Sequence, residues 1–284
     1  MKQPSLEEIF GSYMAWKLDD TTWCINFMNG TENIYLLEGE EKALLLDTGY
    51  GVGNLRAFVE KLTDKEIVVA NTHFHPDHAS GNGEFEKVFV SKGSELDALR
   101  VGPGPFDLSK LPYPNYEKVY VGEGDKIELG GRTIEVLGVL PAHCNSSLFF
   151  LDRGHRMLFT GDELEAAQVL LYDNSNNPCV NYNVKERLDN FYKNSKRIQE
   201  LSREIDYLLP NHNGVVIAKS YVQEFIELVE HIYAGDAVIE DKLNHKYIEM
   251  DPKAPELCRV RYKNVSIFIK KALLMEVYGK IISK

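Results

Sequence analysis

Apolar residues in this chain come in short runs that stop at turn-forming residues, and the early runs have strand length. Trp23 to Met28 reads as a strand, Asn29-Gly30 as a turn, and Asn33-Ile34-Tyr35-Leu36-Leu37-Glu38 as a second strand. Gly39-Glu40-Glu41 then turns the chain into Ala43-Leu44-Leu45-Leu46, which ends at Asp47-Thr48-Gly49. Gly51 and Gly53 give a flexible loop, Asn54 is a reasonable N-cap, and Leu55, Phe58, Val59 and Leu62 recur at helical spacing. Ile67-Val68-Val69-Ala70 is β-branched and apolar enough for a buried strand, and Asn71-Thr72 closes it. A strand at Val88-Phe89-Val90 and a helix from about Ser94 to Arg100 continue the alternation, which predicts an α/β fold.

The pattern breaks between Val101 and Lys118, where Pro and Gly exclude helix and central strand. That stretch reads as a lid over a site or a linker between halves, the lid favoured, and as a lid it would bring Phe106, Tyr113 and Tyr116 into contact with substrate. Beyond it the second half echoes the first. Ser147 to Asp152 and Arg156 to Asp162 match the earlier hairpin ending in Asp47, and Asp206 to His212 is again an apolar strand that delivers a histidine. Two similar α/β layers packed sheet to sheet are expected. A helix from Val184 to about Ile205 carries Leu188, Phe191, Tyr192, Ser195, Ile198 and Leu201 on one stripe, and its charged face reads as solvated surface. Another runs from Tyr221 to Ala234, with Ser220 and Gln223 as a capping box, Gly235 as the stop and His231 as a structural residue. Residues 258–270 read as a hairpin bent at Lys263-Asn264. With no clear linker, residues 1–284 are expected to form a single domain with a C-terminal helix and hairpin extension from about residue 215.

Composition narrows the function classes. A formal charge of -11 and a pI near 5.3 oppose a nucleic-acid backbone. Cys24, Cys144, Cys179 and Cys258 form no C-x-x-C pair, so neither a disulfide scaffold nor a thiolate zinc knuckle is expected, and a reducing cytoplasm fits. The start lacks the basic-then-apolar pattern of a signal peptide, and no apolar run approaches the ~18 residues of a membrane span.

The chemistry concentrates in Thr72-His73-Phe74-His75-Pro76-Asp77-His78, which holds three of the eight histidines and a carboxylate in a loop after a predicted strand. Imidazole nitrogen and carboxylate oxygen suit zinc, iron or manganese, and a strand end holds them rigidly with one side open to water. Asp47, also at a strand end, stands where a carboxylate can orient metal-bound histidines. Ala142-His143-Cys144, Thr160-Gly161-Asp162 and Pro210-Asn211-His212 repeat the placement of a His or Asp at a predicted strand end.

This ordered set, His-x-His-x-Asp-His, then His, then Thr-Gly-Asp, then His, resembles the metallo-β-lactamase-fold superfamily. The resemblance implies an αββα four-layer sandwich of two mixed β-sheets and two divalent metal ions at one edge, zinc first, with iron or manganese as alternatives. It places His73, His75 and His143 on the first metal, Asp77, His78 and His212 on the second, and Asp162 on both. A metal-bound hydroxide would attack a small ester, thioester or lactone, with Asp77 orienting it and helping to move its proton. The partner is then a small molecule, with no nucleic acid or membrane, and a homodimer is compatible. Alternatives on the same fold are a mononuclear-iron oxidoreductase of the persulfide dioxygenase type and a low-turnover ligand-binding module.

Within the superfamily, Asp162 and His78 resemble the hydroxyacylglutathione hydrolase (glyoxalase II) branch. Departures stand beside that match. Relatives often carry Gly-His-Thr-Pro-Gly where this chain has Ala142-His143-Cys144-Asn145-Ser146, so the turn is expected to differ in shape. Cys144 reads as a small buried residue. No basic helical domain for glutathione is evident. Lactonase relatives have Tyr where Glu165 stands, leaving Tyr172 and Tyr182 as candidates for an oxyanion role.

Overall fold

A seven-stranded sheet follows the chain in order through β1 (Tyr13–Lys17), β2 (Thr22–Phe27), β3 (Ile34–Glu38), β4 (Lys42–Leu46), β5 (Glu66–Ala70), β6 (Lys87–Val90) and β7 (Glu117–Tyr120). The structure is a computed structural model and describes residues 12–27, 32–98, 116–171, 184–240, 257–271 and 274. β1 to β4 pair antiparallel, whereas β4 to β7 run parallel. Parallel neighbours need crossovers, and α1 (Leu55–Val59), α2 (Pro76–Ala79) and α3 (Ser94–Asp97) lie in those connections. Leu46 pairs with Ala70, so Asp47 and Asn71 leave the sheet side by side.

The second sheet contains β8 (Lys126–Glu128), β9 (Thr133–Gly138), β10 (Leu148–Asp152), β11 (Met157–Gly161) and, after the short β12 (Gln168–Leu170), β13 (Tyr207–Pro210). Its order is β13-β11-β10-β9-β8, with β11 and β13 parallel, so Gly161 and Pro210 end at one edge. Two longer helices follow the outer face, α4 (Val184–Glu200) and α5 (Ser220–Ala234). A third sheet joins β12 to β16 (Val265–Lys270), then β15 (Leu257–Tyr262) and β14 (Val238–Glu240).

Alternation along the strands explains the layers. Phe149 and Phe150, adjacent on β10, are both buried and belong to different cores. Between the sheets lie Tyr35, Leu37, Leu44 and Leu46 against Val136, Phe150 and Phe159. The far side of the first sheet packs Leu36 and Leu45 on Leu55 and Val59 of α1. Beneath the second sheet, Phe149 and Leu158 meet Phe191, Phe225 and Ile267, which places the third sheet in the same core as α4 and α5. At the end of the sandwich opposite that edge, buried Arg132 ties the sheets. It donates to Asp152 at 2.7 Å, to Thr22 Oγ1 at 2.9 Å and to Glu38 O at 3.1 Å.

Several local expectations change. β1, β8 and β9 are strands that the apolar pattern does not predict; exposed or half-buried polar positions dilute the apolar run of each. β7 begins at Glu117, inside the stretch read as loop, and α3 ends at Asp97. Asn54 caps α1 as expected, accepting from Ala57 N at 2.8 Å. The capping box fails: Ser220 is already helical, Lys219 is the N-cap without a side-chain bond, and Gln223 donates to Glu227. The charged face of α4 is not wholly solvated, because Arg187, Asn190 and Asn194 are buried. Asn29-Gly30, Phe106, Tyr113, Tyr172, Cys179 and Tyr182 lie outside the described residues.

Candidate metal centre

The edge where β4, β5, β11 and β13 end gathers all seven candidate ligands into two groups. His73, His75, His143 and Asp162 form one, and Asp77, His78, His212 and Asp162 the other, each with ligand atoms within 4.8 Å of one another. Asp162 Oδ2 is the common point. It lies 3.7 Å from His73 Nε2, 3.4 Å from His78 Nε2, 3.6 Å from His143 Nε2 and 3.6 Å from His212 Nε2. Within the groups, His143 Nε2 is 3.1 Å from His75 Nδ1, and His212 Nε2 is 3.3 Å from both His78 Nε2 and Asp77 Oδ2. Ligand atoms around a tetrahedral ion with bonds of about 2.0–2.1 Å stand about 3.3 Å apart, so this crowding fits coordination.

Local structure explains the convergence. Gly161 adopts φ 57°, and a Cβ there would press on Thr72, so the turn after β11 can lay Asp162 over His73 only without a side chain. Pro76 opens α2, which makes Asp77 and His78 part of a helical turn, not of a loop as expected.

Outer partners fix the imidazoles. Asp47, fully buried, accepts from Thr72 N at 2.7 Å, Thr72 Oγ1 at 2.6 Å, His78 Nδ1 at 3.1 Å and Asn211 Nδ2 at 2.7 Å. It is therefore an orienting carboxylate, not a solvated turn residue. Thr72 Oγ1 accepts in turn from His73 Nδ1 at 3.2 Å, and His143 Nδ1 donates to Leu170 O at 2.9 Å. With Nδ1 engaged as a donor in each of His73, His78 and His143, Nε2 is the nitrogen that faces Asp162 and is left to coordinate a cation. Thr72, Asn211 and Leu170 were missed in the sequence because partners this distant in the chain leave no local pattern.

Electrostatics point the same way. Burial, reinforced by the His78 charge, pushes His73 well below the usual histidine range and keeps it neutral. Burial opposes charge on His78 and His212, but Asp162 and Asp77 outweigh it, holding His78 well above the histidine range and His212 at about 10. Burial also works against the Asp77 and Asp162 carboxylates; the facing histidines prevail and keep both well below the carboxylate range. The fields that hold protons on His78 and His212 would attract a divalent cation, whose binding releases them. Two buried atoms, His73 Nε2 and Asp162 Oδ1, have no hydrogen-bond partner, a costly arrangement unless a cation takes them. The residues present fit such ions.

Other expected participants stand outside this cluster. Tyr116 does not line it: its hydroxyl accepts from Asn82 at 3.1 Å, in the polar network behind His78. Cys144 is buried, its thiol pushed up by burial and turned to Ser147 Oγ at 3.2 Å. Glu165 is buried near the centre, hydrogen-bonded by Asn213, and held well above the carboxylate range by burial and by Asp162. His231 pairs with Asp236 away from the site.

The family model of the metallo-beta-lactamase superfamily matches residues 29–212, more than half of the chain. This chain belongs to that superfamily. The acyl-coenzyme A thioesterase MBLAC2 of Homo sapiens is 25% identical over 213 residues, 63% of this chain and 72% of that protein. A hydroxyacylglutathione hydrolase of Rippkaea orientalis is 30% identical over 111 residues, 37% of this chain and 39% of that one. Among solved structures, a metallo-beta-lactamase from Pontibacter korlensis superposes with a TM-score of 0.58 at 16% identity, covering 77% of this chain and 99% of the other. The superfamily fold, two mixed sheets with flanking helices, is therefore this chain's fold. Family, relatives and a metal-capable His and Asp cluster agree, and the chain is a metal-dependent hydrolase.

Proposed function

We propose that this hydrolase cleaves acyl thioesters of small-molecule thiols with two divalent metal ions, zinc first. The carrying observation is Asp162 Oδ2, within 3.4–3.7 Å of four imidazole nitrogens that belong to two separate groups. His73, His75 and His143 would hold one ion, Asp77, His78 and His212 the other, and Asp162 both. Bound there, the ions supply Lewis acidity toward a carbonyl oxygen and bring the pKa of water from 15.7 towards about 7.

The remaining work falls to the chain. Asp77 is the more exposed of the two carboxylates, and its Oδ2 faces His78 and His212, so it is the group placed to take the proton that water gives up. Asp47 and Leu170 O keep the imidazoles in the coordinating tautomer. A thiolate, from a thiol of pKa about 8.5, departs near neutral pH without obligatory protonation, which a departing alkoxide requires. The MBLAC2 and hydroxyacylglutathione hydrolase names support the same substrate class. A reducing cytoplasm suits the buried thiols of Cys24 and Cys144. Among the described residues no helix is long and apolar enough to cross a membrane.

Elemental analysis of the purified chain and a thiol-release assay over acyl-coenzyme A and acylglutathione esters test the reading. Two zinc ions per chain and turnover of at least one thioester class are expected. Absence of metal together with absence of thiol release would refute it. One iron per chain with oxygen uptake on a thiol persulfide would move the protein to the dioxygenase class instead.

A further inference from the structure

The segment that runs from the end of β9 to His143 belongs to no strand, and side chains of α4 take its carbonyls instead. Along one line of the helix, Arg197 donates to Gly138 O at 2.7 Å, Asn194 to Leu140 O at 2.8 Å, Asn190 to Pro141 O at 2.9 Å and Arg187 to Ala142 O at 2.9 Å. Positions three or four apart share a helix face, so these side chains meet successive carbonyls as helix and segment run in opposite directions. Asn194 Oδ1 also accepts from Leu140 N at 3.1 Å, and Arg187 reaches Asn145 Oδ1 at 3.3 Å. Glu163, next to Asp162, accepts from His143 N at 3.1 Å and from Asn194 at 2.7 Å, which joins helix, turn and bridging residue.

The other flank is held by α3. Asp97 accepts from Asn145 N, Asn145 Nδ2 and Ser146 N at 3.1, 2.7 and 2.8 Å. Gly93 approaches so closely that a Cβ would collide with Asn145 O. Ser146 Oγ accepts from Phe74 N at 2.8 Å, tying the turn to the His73–His78 segment. The turn is thus shaped by buried side chains on both sides.

We propose that Arg187 and Asn194 of α4, with Asp97 of α3, form a clamp that positions His143 and thereby sets occupancy of the first metal position separately from the second. The clamp's hydrogen bonds go to the backbone of the His143 turn, to the side chains of Asn145 and Ser146 and to Glu163, a set that includes none of Asp77, His78 and His212. They are positioning residues, and the proposal rests on His143 being a ligand.

Arg187→Met in the full chain, zinc-loaded and then equilibrated with graded chelator, reads the effect. One ion is expected to be lost at about 10–100-fold higher free zinc than in wild type, with the other retained as in wild type. Cobalt loading should show ligand-field bands of one position only. Arg187→Lys can still reach Ala142 O and should fall between. Asp97→Asn, which keeps shape and acts from the opposite flank, should weaken the same ion if Arg187→Met does not fold. Wild-type retention of both ions in a folded variant overturns the proposal, and so does equal weakening of both. Unfolding of Arg187→Met and Asp97→Asn alike would assign the clamp to folding and overturn it too. A wild-type chain that binds no zinc would instead refute the ligand assignment.

Discussion

Replacing Asp47 by Asn removes one acceptor atom and a charge while keeping size and shape. Its φ of 69° is one that Asn tolerates, so backbone strain does not enter. The carboxylate accepts four hydrogen bonds, three of them at Oδ2, from Thr72 Oγ1, His78 Nδ1 and Asn211 Nδ2. An amide that keeps the Thr72 N bond presents an NH2 group to those three donors. The Thr72 hydroxyl can turn, but the bonds from His78 and Asn211 are lost. At about 1.5–3 kcal/mol for each charge-assisted bond, the loss is at least about 3 kcal/mol. Total stability is about 5–15 kcal/mol, so the variant should fold and melt about 6–12 °C lower. A second effect follows through the imidazole. Without an acceptor at Nδ1, the His78 proton moves to Nε2, the nitrogen 3.4 Å from Asp162, and a protonated Nε2 cannot coordinate. The second metal position should weaken by about 10–100-fold. Scanning calorimetry of the metal-free protein, chelator titration and nitrogen NMR of the His78 tautomer measure the parts separately. A variant melting within about 1 °C of wild type and holding both ions with wild-type affinity would refute the reasoning.

Other perturbations reach different layers. Gly93→Ala should push the Asn145 turn outward and lower zinc content at the first position, whereas full content by elemental analysis would show that the turn can yield. Arg132→Met leaves Asp152 buried without its cation and should cost about 3–5 kcal/mol in urea unfolding; an Arg132→Met, Asp152→Leu pair should recover most of it. Chelation should leave the strands in place by circular dichroism, because the cores need no ion, while lowering stability by about 4 kcal/mol for each zinc ion that was present at 1,000 times its Kd. Unchanged calorimetric stability after complete metal removal would count against the site.

The candidate ligands were legible because they stand at or just beyond the ends of apolar runs, a pattern written in neighbouring residues. Asp162 after β11 and His212 after β13 are examples. What holds them was not legible. Arg187, Asn190 and Asn194 have ordinary spacing for a solvated helix face, and only packing against a segment some 45–54 residues upstream makes them buried. Thr133–Gly138 is a strand in which Thr133, Glu135 and Gly138 interrupt the buried apolar residues too briefly for a pattern to stand out, yet it carries the chain into the His143 turn. The capping box at Ser220 matched in composition and failed because the helix begins one residue early, a shift that propensity does not resolve.

Leu170 O, which orients the His143 ring, lies on β12, and β12 is held in place by β16 through Leu171 N to Phe268 O at 2.9 Å and the Gln168 to Leu170 pairing. A fragment cut at residue 212, where the family match stops, would keep every candidate ligand yet forfeit β16, the strand that holds β12 and with it Leu170 O in place. The smallest piece bearing the motif is thus smaller than the smallest piece able to use it, and changes made near Phe268 should be felt as altered chemistry at His143, far earlier in the sequence.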